Sequence, residues 1–84
     1  MIILFNTKLR KKLLTYSFTH LEEQFYVREL SALIDEDPGN LSRELRKLAE
    51  EGLYISTVRG KEKFYSLNKR YPLFSELKTI IAKT

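Results

Sequence analysis

The chain has 84 residues, with 15 Lys+Arg against 11 Asp+Glu, a single histidine and no cysteine. A length below the usual domain mode of about 100–150 residues leaves room for one domain, residues 1–84, with a thin core and no deeply enclosed active site. Composition, 43% hydrophobic and 31% charged, is that of a folded chain, and the lack of cysteine excludes a disulfide framework, a thiolate zinc site and a cysteine nucleophile.

The longest uncharged apolar run is residues 1–5. That is far short of the ~20 residues of a membrane span and lacks the pattern of a secretory leader. The expectation is a soluble, cytoplasmic protein with no membrane partner. Asn6 or Thr7 is placed to cap a first helix. Leu9, Leu13 and Tyr16 recur at i, i+4 and i+7, and Leu14, Phe18 and Leu21 form a second row at that spacing. The helix therefore carries a broad apolar face, and it should fade near residues 19–20. Gln24, Phe25 and Tyr26 read as a brief extended piece. Val27, Leu30, Ala32, Leu33 and Ile34 predict a short second helix. Glu29 falls in its first turn, where a carboxylate favours the positive end of the dipole.

The sharpest local signal is Asp-Glu-Asp-Pro-Gly-Asn at 35–40. Asp37 suits an N-cap and Pro38 the first helical position. Asn40 stands where the Glu or Gln of a capping box would be. Leu41, Leu45 and Leu48 recur at i, i+4 and i+7, and Gly52 ends the segment, with Leu48 and Leu53 placed to touch across a Schellman cap. The spacing predicts a helix over 38–51. Tyr54, Ile55, Thr57 and Val58 suit a strand over 53–58, and Phe64, Tyr65 and Leu67 suit another. Residues 59–62, Arg-Gly-Lys-Glu, join them as a hairpin turn. After a loop at 68–72, Leu73, Phe74, Leu77, Ile80 and Ile81 mark a last amphipathic helix with Pro72 near its start. Helix, short strand, helix, turn, helix, hairpin, helix is the order of an α+β winged helix-turn-helix, with about four helices and a two- to three-stranded wing sheet.

Charge is spread unevenly along this order. Lys8, Arg10, Lys11 and Lys12 make the first twenty residues basic. Glu22, Glu23, Glu29, Asp35, Glu36 and Asp37 against Arg28 make residues 21–37 acidic. Residues 38–51 balance, and Arg59, Lys61, Lys63, Lys69 and Arg70 against Glu62 make the hairpin region basic. A pI near 9.4 fits a nucleic-acid partner, with a merely solvated surface as the alternative.

FYVREL at 25–30, DPGNLSRELRKLAEEGL at 37–53, GKEKFYSLN at 60–68 and YPLFSELK at 71–78 are the stretches that carry a family likeness. Through them, from about residue 5 to 84, the chain resembles the winged-helix domain of ArsR-type transcriptional regulators. The likeness is to the branch found preceding, or fused to, small nucleotidyltransferase domains. The tyrosine-leucine-asparagine that closes the second wing strand, before a proline-started helix, is its more specific part. The resemblance implies sequence-specific binding of double-stranded DNA, usually as a dimer, in transcriptional control. The chain departs from metal-sensing members of that wider group, with no cysteine and one histidine, so neither a metal nor another cofactor is expected.

In a DNA-binding domain of this kind, helix 38–51 enters the major groove and Gly39, Asn40, Ser42, Arg43, Arg46 and Lys47 face outward. Asn40 suits adenine and Arg43 suits guanine as base readers. Ser42, Arg46 and Lys47 fall to the backbone or groove edge, and Gly39 allows close backbone approach. The alternative is a solvated face in which Arg43, Arg46 and Lys47 pair with Glu44, Glu50 and Glu51. In the wing at 59–63, Arg59, Lys61 and Lys63 would reach flanking phosphates or the minor groove, with a hairpin charged only for solubility as the alternative. Arg28 is a further phosphate candidate, and Lys8, Arg10, Lys11 and Lys12 are either phosphate contacts or a solvated helix edge. Phe64 and Tyr65 read as packing groups.

Ile2, Ile3, Leu4, Phe5, Leu77, Ile80 and Ile81 offer more apolar surface at the two ends than so small a core requires. A homodimer through the N- and C-terminal helices would cover it, unless these residues close the monomer core. No enzyme is expected. His20 stands alone, and the acidic cluster at 35–37 serves a turn and a cap. The competing reading is a winged-helix protein–protein interaction module that partners a nucleotidyltransferase.

Overall fold

The computed structural model describes residues 7–83. Asn6, Ile2, Ile3, Leu4 and Phe5, named above as cap and dimer candidates, lie outside the described residues.

Helix α1, Lys8–Thr19, starts where the Thr7 hydroxyl accepts the Arg10 N–H at 3.1 Å, and it ends at Thr19, where the apolar rows predict it to fade. Leu13, Leu14, Ser17 and Phe18 form its buried stripe, flanked by half-buried Leu9 and Tyr16. Strand β1, Phe25–Tyr26, leads directly into α2, Val27–Ile34. Asp35 then takes the left-handed conformation at φ 57°, which a short polar side chain tolerates, and the Glu36 N–H returns to the Ser31 carbonyl at 3.0 Å.

Helix α3, Pro38–Glu50, follows after a three-residue connection. The Asp37 carboxylate accepts the Asn40 N–H at 2.9 Å with Pro38 in the first turn, and Leu41, Leu45 and Leu48 are fully buried. Its end is a Schellman cap. The Gly52 N–H reaches the Ala49 carbonyl, and the Leu53 N–H reaches the Leu48 carbonyl, each at 3.0 Å. Gly52 holds φ 96°, a conformation that favours glycine, and Leu48 and Leu53 are both buried. The helix thus stops one residue short of the predicted 38–51, because Glu51 is already the cap.

Strand β2, Tyr54–Arg59, and strand β3, Glu62–Leu67, form a hairpin that extends further than predicted. Arg59 and Glu62 are paired strand residues, so the wing spans 54–67 and its turn is only Gly60 and Lys61. Gly60 alone has positive φ, 62°, as a type II′ turn requires. The sheet order is β1-β3-β2, antiparallel throughout, with Phe25 opposite Tyr65 and Tyr26 opposite Phe64. Its inner face gives Phe25, Tyr54, Tyr65 and Leu67 to the core.

Helix α4, Phe74–Ala82, begins beyond Leu73, with Pro72 just outside it. Phe74 packs against Phe18 of α1 with ring centroids 5.2 Å apart and the rings tilted, and Leu77 and Ile81 enter the core. These two dimer candidates are therefore core residues of the monomer. At i and i+4 they follow the side of α4 that faces α1, and among the described members of that set only Ile80 is exposed. Four helices and a three-stranded antiparallel sheet in this order make an α+β winged helix-turn-helix.

Candidate nucleic-acid interface

With its leucine stripe buried, α3 turns its other side outward. Gly39, Asn40, Arg43, Arg46 and Lys47 are exposed there, and Ser42 is half-buried. Ion pairs between the described residues join Arg10 to Glu44, Lys12 to Glu36 and Lys69 to Glu22; none involves Arg43, Arg46 or Lys47. Residues 38–51 balance in charge, yet α3 turns its cations outward, because Glu44 is drawn inward to Arg10 and exposed Glu50 and Glu51 sit at its C-terminal end. The intrahelical pairing weighed as an alternative does not form.

Asn40 and Arg43 are not independent. One turn apart on α3, they meet through a hydrogen bond from the Arg43 guanidinium to the Asn40 side-chain oxygen. Gly39 has a local reason beyond close approach to a ligand. A Cβ there would stand 3.0 Å from Asp37 Oδ2, so any side chain crowds the carboxylate that caps the helix.

The wing cations divide. The Arg59 guanidinium lies 4.4 Å above the Phe64 ring and donates to the Gln24 side-chain oxygen across the outer face of the sheet. Its geometry is set by the protein's own groups. Lys61 sits exposed in the turn, and Lys63 is exposed with its ammonium 6.0 Å from the Tyr65 ring. Lys61 and Lys63 join Arg28, at the head of α2, around an open groove of roughly 370 Å³. Tyr26, Val27, Pro38 and Glu62 complete its lining, so residues separated by more than thirty positions in sequence share one concave surface beside α3. The sequence carried no signal for Gln24 as the partner of Arg59 or for Tyr26 as a groove wall.

The basic run of α1 is partly consumed. Arg10 pairs with Glu44, while the Lys12 ammonium is 2.9 Å from Glu36 and donates to the Ile34 carbonyl at 2.9 Å. A cation on the last carbonyls of α2 is favourably placed against that helix's dipole. Lys8 and Lys11 remain exposed. His20 stacks on Tyr16, with ring centroids 4.1 Å apart. No group of three metal-ligating side chains occurs among the described residues, and none of their helices is long and apolar enough to cross a membrane.

No protein-family model matches the chain, and no curated protein matches it. A solved structure does: that of AntR, an antimony-specific transcriptional repressor, superposes with a TM-score of 0.70 at 17% identity. The match covers 92% of this chain and 66% of that one, so the chain spans about two-thirds of the length of its structural neighbour. At this identity the likeness establishes the winged-helix fold.

Proposed function

We propose that this chain is a sequence-specific, double-stranded-DNA-binding transcriptional regulator. In this reading α3 lies in the major groove, with Asn40 and Arg43 toward base edges and Ser42, Arg46 and Lys47 on the backbone or groove edge. Lys61, Lys63 and Arg28 hold flanking phosphate, and Arg59 braces the wing. The observation that carries the reading is the basic outer face of α3 beside the Arg28–Lys61–Lys63 groove, with none of these cations in an ion pair among the described residues. The fold shared with a transcriptional repressor supports it. Antimony specificity belongs to that repressor and is not carried over to a chain whose 84 residues include no cysteine.

A homodimer would set two α3 helices about one turn of DNA apart. Because Leu77 and Ile81 are used inside the monomer, an α4 seam would run along the side that carries Ile80. Light scattering tests it: a mass of twice 10.0 kDa is expected, and a monomer at micromolar concentration counts against it.

Fluorescence-anisotropy titration of labelled duplexes at two salt concentrations tests the function. Affinity should fall steeply with salt, with some sequences bound much more tightly than others. A module that only docks a nucleotidyltransferase would leave every duplex unbound.

A further inference from the structure

The geometry points to Asn40 and Arg43 as a single reading head that presents mainly hydrogen-bond donors. It selects guanine at one position and a keto base, guanine or thymine, at the neighbouring one. This specification rests on the DNA-binding reading above.

A guanidinium has five N–H donors and no acceptor, so the amide atom that faces it must be oxygen. The Arg43–Asn40 bond therefore fixes which way the Asn40 amide points. Its backbone is pinned as well, because the Asn40 N–H is held by the Asp37 cap at 2.9 Å. Asparagine reads adenine by using both ends of its amide: the oxygen accepts from the N6 amino group and the nitrogen donates to N7. Here the oxygen is turned toward Arg43, which takes one of its two lone pairs and sets its cation beside the other. An adenine amino group approaching it would push its own N–H dipoles against a cation.

What the pair offers outward is the Asn40 amide N–H groups and the remaining guanidinium N–H groups. Guanine presents two acceptors in the major groove, N7 and O6, and thymine presents O4, whereas adenine and cytosine each present an amino donor. Arg43 matches guanine in bidentate fashion, and the Asn40 nitrogen matches an acceptor on the next base. Residue type alone assigns Asn40 to adenine; the shared bond reverses that preference.

Selection from randomised duplexes with the 84-residue chain, followed by anisotropy titration of the enriched sequences at two salt concentrations, tests the pair. Guanine should be enriched at one position and guanine or thymine beside it, with adenine at that second position weakening binding about tenfold. Arg43→Ala should relax the first position and also turn the second toward adenine, because Asn40 regains its oxygen. Asn40→Asp keeps an acceptor for Arg43 but removes the amide donors, and should turn the second position toward cytosine. Both side chains are exposed, and a thermal melt of each variant checks that the fold survives. Adenine at the second position in the unmodified protein, or an Arg43→Ala profile that leaves that position unchanged, overturns the coupled pair while DNA binding stands. Absence of salt-dependent binding to any duplex overturns the DNA-binding reading itself, and the pair with it.

Discussion

Ser17 of α1 and Tyr54 of β2 share a hydrogen bond of 2.6 Å inside the apolar core. Both residues are buried, so neither hydroxyl has water as a substitute partner. Ser17→Ala should strand the Tyr54 hydroxyl and cost about 1–3 kcal/mol. Tyr54→Phe should cost less, because a helical serine can turn its hydroxyl to the carbonyl four residues back. The double variant should lose less than the two single losses combined. Urea unfolding of the three variants decides, and strict additivity would show that the bond carries no coupling.

The same tyrosine sets an alkaline limit. Burial pushes the Tyr54 phenol well above the ordinary tyrosine value of 10.0, and the Ser17 bond pulls weakly the other way. As pH rises the unfolded chain therefore loses this proton first, so the native state binds more protons than the unfolded one. The stability tied to this group is intact below about pH 10 and drains away as pH climbs toward the folded value. Denaturation midpoints at about pH 8 and about pH 11 should differ more for the unmodified protein than for Tyr54→Phe.

Gly52 is a test of backbone conformation rather than space. A Cβ there meets nothing nearer than Tyr71 Cδ1 at 3.8 Å, yet φ is 96°. Gly52→Ala should therefore destabilise by about 1 kcal/mol, a fall in Tm of about 4–8 °C for a domain of this size. Calorimetry checks this; an unchanged Tm would mean that the Schellman cap tolerates a side chain.

Lys61 and Arg59 are both wing cations, and they should fail in different ways. Lys61→Ala should lower the slope of log affinity against log salt by about 1 with the melting curve unchanged, because the side chain is exposed at the turn. Arg59→Ala removes the guanidinium from Phe64 and Gln24, and should cost about 0.5–1 kcal/mol of stability with a smaller change in slope. Anisotropy across a salt series beside thermal melts separates them. An equal loss of slope in both variants would place Arg59 on phosphate too.

What was legible in the sequence was local. Asp37, Pro38 and Gly52 bracket α3 because capping chemistry is written in single residues, and the leucines at 41, 45 and 48 name its inner face. The hairpin was visible from Gly60, although its length was not, since Arg59 and Glu62 belong to strands only through pairing with each other. Leu77 and Ile81 show a different limit. A monomer core and a dimer seam call for the same residue types at the same spacing, and only the packing of α4 on α1 separates them. The cross-chain partners were beyond reach: Arg10 lies 34 residues from Glu44, and Arg59 lies 35 from Gln24, with no periodicity to link either pair. Outward placement on α3 followed from the helix period, whereas the joining of Asn40 to Arg43 depends on rotamers.

The ion pairs of α1 give the positive surplus two separate duties. Arg10 and Glu44 are only 15% and 13% exposed, and with Lys12 and Glu36 they fasten α1 to the pair of helices α2 and α3. Half-sheltered pairs like these feel dissolved ions far less than cations laid against a phosphate strand. If the chain binds DNA as proposed, rising ionic strength should release it from a duplex long before it loosens the scaffold, and the released protein should be an intact fold ready to bind again.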